Sequence, residues 1–274
     1  TRKIKSLSII FRTNTNIEIW DQNKKRIFEK PKIEYALRCL NSLIKSIKKV
    51  KEKKPDTLIK LQVIDDNSND ENLKKIKDLI NSNGIDCEII NHNKSEHKEK
   101  IAAENNDETF GNLSSLLKCF EIAKKEQSDL IYFVEDDYLH YDHSLVDMLD
   151  TYERISSQHK DEIIVCPSDY PFNYMTNEKT NILIGSRQHW RIITKMLCTF
   201  MISKKTFQKH INNFEKTCEK RHDPFEKYLN EILQKEIAIS PINSLAIHLT
   251  NVNSSYGLSP FVDYKKLWEE NKVD

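Results

Sequence analysis

Glycine is scarce in this chain. Its 274 residues include only Gly84, Gly111, Gly185 and Gly257, and no two stand close enough for G-x-G-x-x-G or a Walker A loop. Dinucleotide-binding dehydrogenases and P-loop NTPases are therefore disfavoured. Six cysteines are scattered, at 39, 87, 119, 166, 198 and 218, with no C-x-x-C pair, which argues against a zinc ribbon or a thioredoxin-type site. Most lie in apolar stretches and read as buried, reduced thiols, pointing to a cytoplasmic compartment. The longest apolar run is Leu130 to Val134, far short of the ~20 residues that span a bilayer. No transmembrane segment and no signal peptide are expected. Net charge is nearly absent too: 43 basic against 42 acidic residues leave +1. No nucleic-acid partner is expected on that balance, because such binders carry a clear positive excess.

Apolar residues make up 38% of the chain, enough to build a core beneath a highly charged surface. The first half alternates two periodicities. Residues 6–11, 59–64, 86–90 and 129–134 are short β-branched or apolar runs and predict strands. Residues 32–50, 71–81 and 112–125 place apolar side chains at helical spacing. A polar loop runs from His92 to Gly111. Beyond Tyr138 the alternation loosens, with helices expected at 143–156, 204–217 and 224–235, a strand at 162–166, two apolar stretches within 181–202, and one strand-like piece near 237–249. Alternating strands and helices predict an α/β fold with a mostly parallel sheet.

In such sheets ligands sit beyond the carboxyl ends of the strands. Both acidic clusters fall there. Glu135-Asp136-Asp137 follows the most apolar strand, and adjacent carboxylates repel unless a cation compensates. Their oxygens suit Mn²⁺ or Mg²⁺. Asp65-Asp66-Asn67-Ser68 ends an earlier strand, where a carboxylate can accept from a ribose hydroxyl or a base N–H. The alternative role for each cluster is a solvated turn that caps the next helix.

Together these residues resemble a family-2-type glycosyltransferase of the GT-A fold. The resemblance rests on the first strand running into Phe11-Arg12-Thr13, the Asp65-Asp66-Asn67-Ser68 turn, Gly111-Asn112 opening a helix, and Glu135-Asp136-Asp137. It is clearest over residues 5–145. It implies a Rossmann-like, mostly parallel central sheet flanked by helices, with a smaller acceptor-side β/α portion. Residues 1–140 would form the nucleotide-sugar-binding half, and 141–274 the acceptor-binding and catalytic-base half of the same domain. Phe11, Arg12, Thr13, Asp65, Asp66, Asn112 and Asp136 would line the donor site, with Asp66 on the base and Asp136 near the ribose or sugar. Asp137 would bind the metal, Mn²⁺ or Mg²⁺. Two features depart from the common pattern: Glu135 stands where Asp is usual, and the first loop, TNTNIEIWDQNKKRIFEKPK, is long.

Transfer of a sugar from a nucleotide-diphosphate donor needs charge neutralised on the leaving diphosphate and a base for the acceptor hydroxyl. The resemblance implies an inverting hexosyl transfer in which an Asp or Glu of the second half is the base. Asp223 comes first by order in the chain, then Glu226, although Asp223 before Pro224 also reads as a helix start. His248 is the third metal-site candidate, or else a structural histidine in an apolar strand. Tyr170, His189, Trp190 and Arg191 are the acceptor-side candidates, since exposed aromatics stack on sugars and Arg binds anionic groups; the alternative is ordinary core. The acceptor expected is a glycan or a lipid-linked sugar. Six lysines in 45–54 read as a wet helix face, or more sharply as a peripheral contact with an anionic membrane. Two other functions compete. A nucleotidyltransferase of related fold would want glycines in the first loop, which are lacking. A non-catalytic carbohydrate- or partner-binding module would have little use for so many carboxylates.

Overall fold

A computed structural model describes residues 2–16, 27–102, 107–250, 254–259 and 261–273, with 107 and 108 by backbone only. Half of the long first loop, 17–26, and part of the polar loop, 103–106, lie outside the described residues. The apolar run after Lys5 forms β1 (Ser6–Thr13), buried on both faces. The amphipathic stretch that follows is α1 (Lys32–Lys53). Next come β2 (Leu58–Asp65), α2 (Asp70–Ser82) and β3 (Cys87–Asn91). The Asn69 side chain caps α2 by accepting from the Asn72 N–H at 2.8 Å, the role turn chemistry assigns to that segment. A short 3-10 turn at Lys94–His97 sits in the polar loop. Then α3 (Asp107–Lys125) leads into β4 (Leu130–Glu135). Gly111 thus lies inside α3 rather than opening it.

The second half departs further from the expected pattern. It continues with β5 (Tyr138–His140), α4 (Ser144–His159) and β6 (Ile163–Val165). The two apolar stretches become β7 (Ile182–Ile184), β8 (His189–Ile192) and β9 (Phe200–Ser203). The helix expected at 204–217 is two, α5 (Lys204–Lys209) and α6 (Ile211–Glu219), parted at His210. The His210 backbone leaves the helical region, and its Nε2 pairs with Glu236 Oε1 at 2.5 Å. The next helix, α7, starts late (Lys227–Leu233). The strand-like piece near 240 splits into β10 (Ile237–Pro241) and β11 (Ala246–His248), which join different sheets. The tail folds back as α8 (Tyr264–Glu270), a helix with no apolar period long enough to announce it.

The strands form one nine-stranded sheet ordered β3-β2-β1-β4-β9-β6-β10-β8-β7. All but β9 and β8 run in one direction. The expected α/β class with a mostly parallel, helix-flanked central sheet is what the chain adopts, and the sheet is continuous through both halves. Helices α1, α2, α4 and α8 cover one face around Leu40, Ile44, Ile76, Leu149 and Trp268. Helices α3, α5, α6 and α7 cover the other around Leu117, Phe120, Phe207, Phe214 and Ile232. A separate ribbon pairs β11 with β5, setting His248 opposite Tyr138.

One buried polar side chain, that of His140, is matched to partners within these layers. His140 is 1% exposed. Its Nε2 lies 2.7 Å from the Tyr132 hydroxyl and its Nδ1 3.2 Å from the Tyr138 carbonyl. Burial pushes its pKa down to about 4, the carbonyl contact only partly opposing, so the ring is neutral at pH 7. An unfolded histidine titrates near ~6.5. The stability this group contributes is complete above that value and is lost as pH falls from ~6.5 toward 4, on the order of 3 kcal/mol. Calorimetric melting temperatures measured from roughly pH 7.5 to 4.5 should fall on the acid side, and His140→Gln should make that fall shallower.

Candidate active site

The parallel strands β2 and β4, which flank β1, deliver five carboxylates to one end of the sheet: Asp65, Asp66, Glu135, Asp136 and Asp137. Charges so close together and half out of water need individual compensation. Each finds a different partner.

On the β2 side, Asp65 is buried, and its Oδ2 accepts from the Ser68 N–H at 3.0 Å. Its Oδ1 is buried with no partner among the described residues. Asp66 is 4% exposed and accepts at Oδ2 from Asn14 Nδ2 at 3.2 Å. Burial raises the pKa of both above the usual carboxylate range, although Asn14, Arg12 and Lys94 pull Asp66 back. A Cβ on Gly111 would stand 3.2 Å from Asp66 Oδ2. A side chain at Gly111 would therefore crowd this carboxylate, and the glycine does not open the helix.

On the β4 side, strand register sets Arg12 directly beside Glu135. The guanidinium donates to Glu135 Oε1 at 2.5 Å, to Asn112 Oδ1 at 2.5 Å and to Ser115 Oγ at 3.2 Å. Arg12 and Asn112, both expected to face the nucleotide, are thus engaged with Glu135 and each other. They tie α3 to the acidic turn. Phe11 is fully buried in the core, so its side chain does not reach the donor end. That follows from strand alternation: Arg12 projects toward α3, and Phe11 to the opposite face. Thr13, next in β1, donates from Oγ1 to Asp136 Oδ2 at 2.8 Å, and the Asn14 N–H adds a contact at 3.2 Å. Asp136 Oδ1 receives Lys32 Nζ at 2.5 Å.

Asp137 and His248 meet across the β5–β11 ribbon. The Leu249 N–H donates to the Asp137 carbonyl at 2.8 Å, and His248 Nε2 lies 3.3 Å from Asp137 Oδ2. His248 Nδ1 contacts the Tyr256 carbonyl at 2.8 Å. That contact keeps a proton on Nδ1 and turns Nε2 toward the carboxylate, as an outer-shell partner does for a metal-binding imidazole. The Tyr138 ring stacks on the imidazole at 4.7 Å. Burial alone would raise the Asp137 pKa, but His248, then Lys32 and Arg12, hold it well below the usual range. Burial alone would lower the His248 pKa, but Asp137 raises it. Among the described residues no three His, Cys, Asp or Glu converge as a metal cage. Asp137 Oδ1 is nevertheless buried without a partner among the described residues. One carboxylate and one imidazole, close together with an orphaned oxygen beside them, fit a Mn²⁺ or Mg²⁺ that completes its shell from phosphate oxygens and water.

The acceptor-side candidates divide. His189 is exposed at the start of β8. Trp190 is fully buried, packed against Gly185, where an added Cβ would come within 2.2 Å of its Nε1. It is core and offers no face to a sugar, which corrects the expectation of an exposed ring. Tyr170 is also buried; its hydroxyl shares a 2.6 Å hydrogen bond with that of Tyr138, so it backs the His248 shell. Arg191 is 9% exposed, stacked on Tyr174 at 4.3 Å and donating to the Tyr174 hydroxyl at 2.6 Å. That hydroxyl in turn donates to Asp169. Of the two base candidates, Asp223 is exposed on the loop before α7 and Glu226 is half-buried at its start. The Glu226 charge is felt by Cys198, which also feels Glu135, and by Tyr256, whose carbonyl holds His248. The Lys-rich segment is the last part of α1, at the opposite end of the sheet, with Lys49, Lys53 and Lys54 paired to carboxylates.

Sequence reasoning missed Lys32, Asn14 and Tyr174. Lys32 is one of 35 lysines, and its only signal is its place at the first turn of α1, the end of a helix that faces the strand tips. Because Glu135 is largely buried, Arg12→Met should cost about 3–5 kcal/mol by leaving that carboxylate unpaired. Adding Glu135→Gln should restore part of the loss. Urea denaturation of the single and double variants checks both expectations.

No family model and no curated protein matches the chain by sequence. Solved structures do match it in fold. GalNAc-T7 with UDP, GalNAc and Mn²⁺ aligns with a TM-score of 0.53 at 11% identity, over 91% of this chain and 44% of that one. S. aureus TarS 1-349 aligns at 0.48 and 13% identity, over 88% of this chain and 59% of that one. The galactosyltransferase LgtC, with donor and acceptor sugar analogues, aligns at 0.38 and 12% identity, covering 82% and 66%. The chain thus spans under two thirds of TarS 1-349 and under half of GalNAc-T7. With its strand order and its acidic strand ends, the chain has the GT-A fold of glycosyltransferases.

Proposed function

We propose that this protein transfers a sugar from a nucleoside-diphosphate donor to a hydroxyl of a glycan or lipid-linked acceptor, with inversion at the anomeric carbon and with Mn²⁺ or Mg²⁺ bound. The observation that carries the reading is the Asp137–His248 pair beside the Asp136–Thr13 contact, at the carboxyl ends of parallel strands. Residues 1–140 form the donor half in this reading, and 141–274 supply the acceptor side and the base.

Asp66, Asn14 and Thr15 frame the nucleoside pocket next to Gly111. Asp66 is held for a base N–H or ribose hydroxyl by the single contact from Asn14. Asp136 faces the ribose or the sugar. Asp137 and His248 would hold the metal, which when bound supplies positive charge against the departing diphosphate. Glu226 is the preferred base over Asp223, because it is half-buried while Asp223 is exposed to solvent. In the transfer the acceptor oxygen attacks the anomeric carbon, the bond to the diphosphate oxygen breaks, and the acceptor proton passes to the Glu226 carboxylate. A family-2-like hexosyl transfer fits this arrangement. The six free cysteines, all but Cys87 buried, agree with a reducing, cytoplasmic setting. Among the described residues no helix is long and apolar enough to cross a membrane. The acceptor comes to the β8–β7 edge, where Tyr174, His189 and Arg191 lie.

The first test is thermal stabilisation by UDP, GDP, dTDP and CDP, each with and without Mn²⁺. One nucleotide should raise the melting temperature only with the metal, and Asp137→Asn should remove that rise while the metal-free melting point stays close to that of the parent. No shift with any nucleotide sinks the reading. Glu226→Gln should lower kcat at least about a hundredfold with donor binding intact, and Asp223→Asn should lower it far less. The reverse order would assign the proton transfer to Asp223.

A further inference from the structure

Among the described residues, Lys32 is the cation paired with the acidic turn that comes from outside the strand ends. It is the first residue of α1, its side chain is 17% exposed, and its Nζ sits 2.5 Å from Asp136 Oδ1. Its position is fixed from behind. Phe28 exchanges two hydrogen bonds with the Tyr35 hydroxyl, at 2.7 and 2.8 Å, and stacks on Trp268 at 4.3 Å. Trp268 also lies under Arg38, which donates to its carbonyl at 2.6 Å. The short stretch between Phe28 and α1 is thereby clamped, and the ammonium is aimed at the acidic turn.

The charge balance follows. Glu135 is answered by Arg12, Asp136 by Lys32, and Asp137 by His248 with Lys32 nearby. A divalent cation entering this set meets carboxylates already neutralised. It meets the Lys32 charge as well, at a separation where charges under partial burial interact strongly. A nucleoside diphosphate changes the balance, because its phosphates bring negative charge that an ammonium on a flexible four-carbon stem can reach.

We propose that Lys32 is a built-in counter-cation that keeps the Asp136–Asp137 pair from taking a divalent metal until a nucleoside diphosphate arrives, making metal and nucleotide binding mutually dependent. The proposal rests on the donor-site reading above. It assigns to Lys32 the order of binding, not the chemistry. By linkage, whatever Lys32 takes from metal affinity in the free protein reappears as coupling between metal and nucleotide.

The test measures Mn²⁺ binding to the nucleotide-free protein by the electron paramagnetic resonance signal of free Mn²⁺, for the parent, Lys32→Met, Lys32→Gln and Lys32→Arg. Melting temperatures confirm that each variant is folded; the half-buried position at a helix start makes gross unfolding unexpected. Lys32→Met and Lys32→Gln should bind Mn²⁺ at least about tenfold more tightly than the parent, and Lys32→Arg should stay near the parent. Repeating the titrations with UDP, GDP, dTDP and CDP should tighten Mn²⁺ binding strongly in the parent and much less in Lys32→Met. Equal or weaker Mn²⁺ binding in the Met and Gln variants overturns the proposal. If a nucleotide still raises the parent's melting temperature in that case, only the role of Lys32 fails. If no nucleotide does, the donor-site reading fails with it.

Discussion

Five carboxylates at the tips of the two strands that flank β1 are the constraint around which this molecule is arranged. Their mutual repulsion in a partly dehydrated setting would be prohibitive without local answers. Each answer comes from a different part of the chain: the Ser68 amide from the turn itself, Asn14 from the end of β1, Arg12 from within β1, Lys32 from α1 and His248 from β11. The acidic end therefore also ties elements together. Arg12 joins β4 to α3, Thr13 joins β1 to the β4 tip, and Lys32 joins the first helix to that same tip.

The β5–β11 ribbon solves the hardest of these problems. It departs from the main sheet right after the acidic turn and brings back a histidine more than a hundred residues later. An aromatic shell then holds the ring: Tyr138 stacks on it, Tyr170 meets it edge-on, and the Tyr256 carbonyl fixes its Nδ1. Tyr170 and Tyr138 in turn share their hydroxyls. Packing of this kind leaves Nε2 a single direction, toward Asp137. A donor set that is precise on one side and open on the other suits an ion shared with a ligand, rather than a closed structural site.

The opposite edge of the sheet is built differently. Around β7 and β8 the exposed side chains are His189, Tyr174, Met175, Ile182 and Ile184, while the charged pair Arg191 and Asp169 is sunk beneath Tyr174. Under the proposed function this surface, with aromatic and apolar groups over a buried ion pair, is where the glycan acceptor docks. Under the proposed function, choice of acceptor is separated in space from the fixed electrostatics of the acidic strand ends.

How much of this was legible in the sequence follows from which interactions are local. The parallel strands and their helices could be read because burial imposes periods of two and 3.6 on neighbouring residues. The two acidic turns could be read because they end strands whose apolar runs are unmistakable, and strand ends are where such folds bind ligands. Division of labour within the turns could not be read. Phe11 and Arg12 are adjacent, yet strand alternation sends one to the core and the other to Glu135. Trp190 reads as a sugar platform until the close approach of Gly185 buries it. Glu226 and Asp223 are three residues apart and differ only in which one the fold turns inward. Lys32 is indistinguishable in sequence from the other lysines, and only the clamp formed by Phe28, Tyr35 and the C-terminal Trp268 aims it. Residue type and local pattern determined the fold class and where the charge gathers. Which side chain answers which charge was decided by contacts between segments far apart in the chain, and no local period records those.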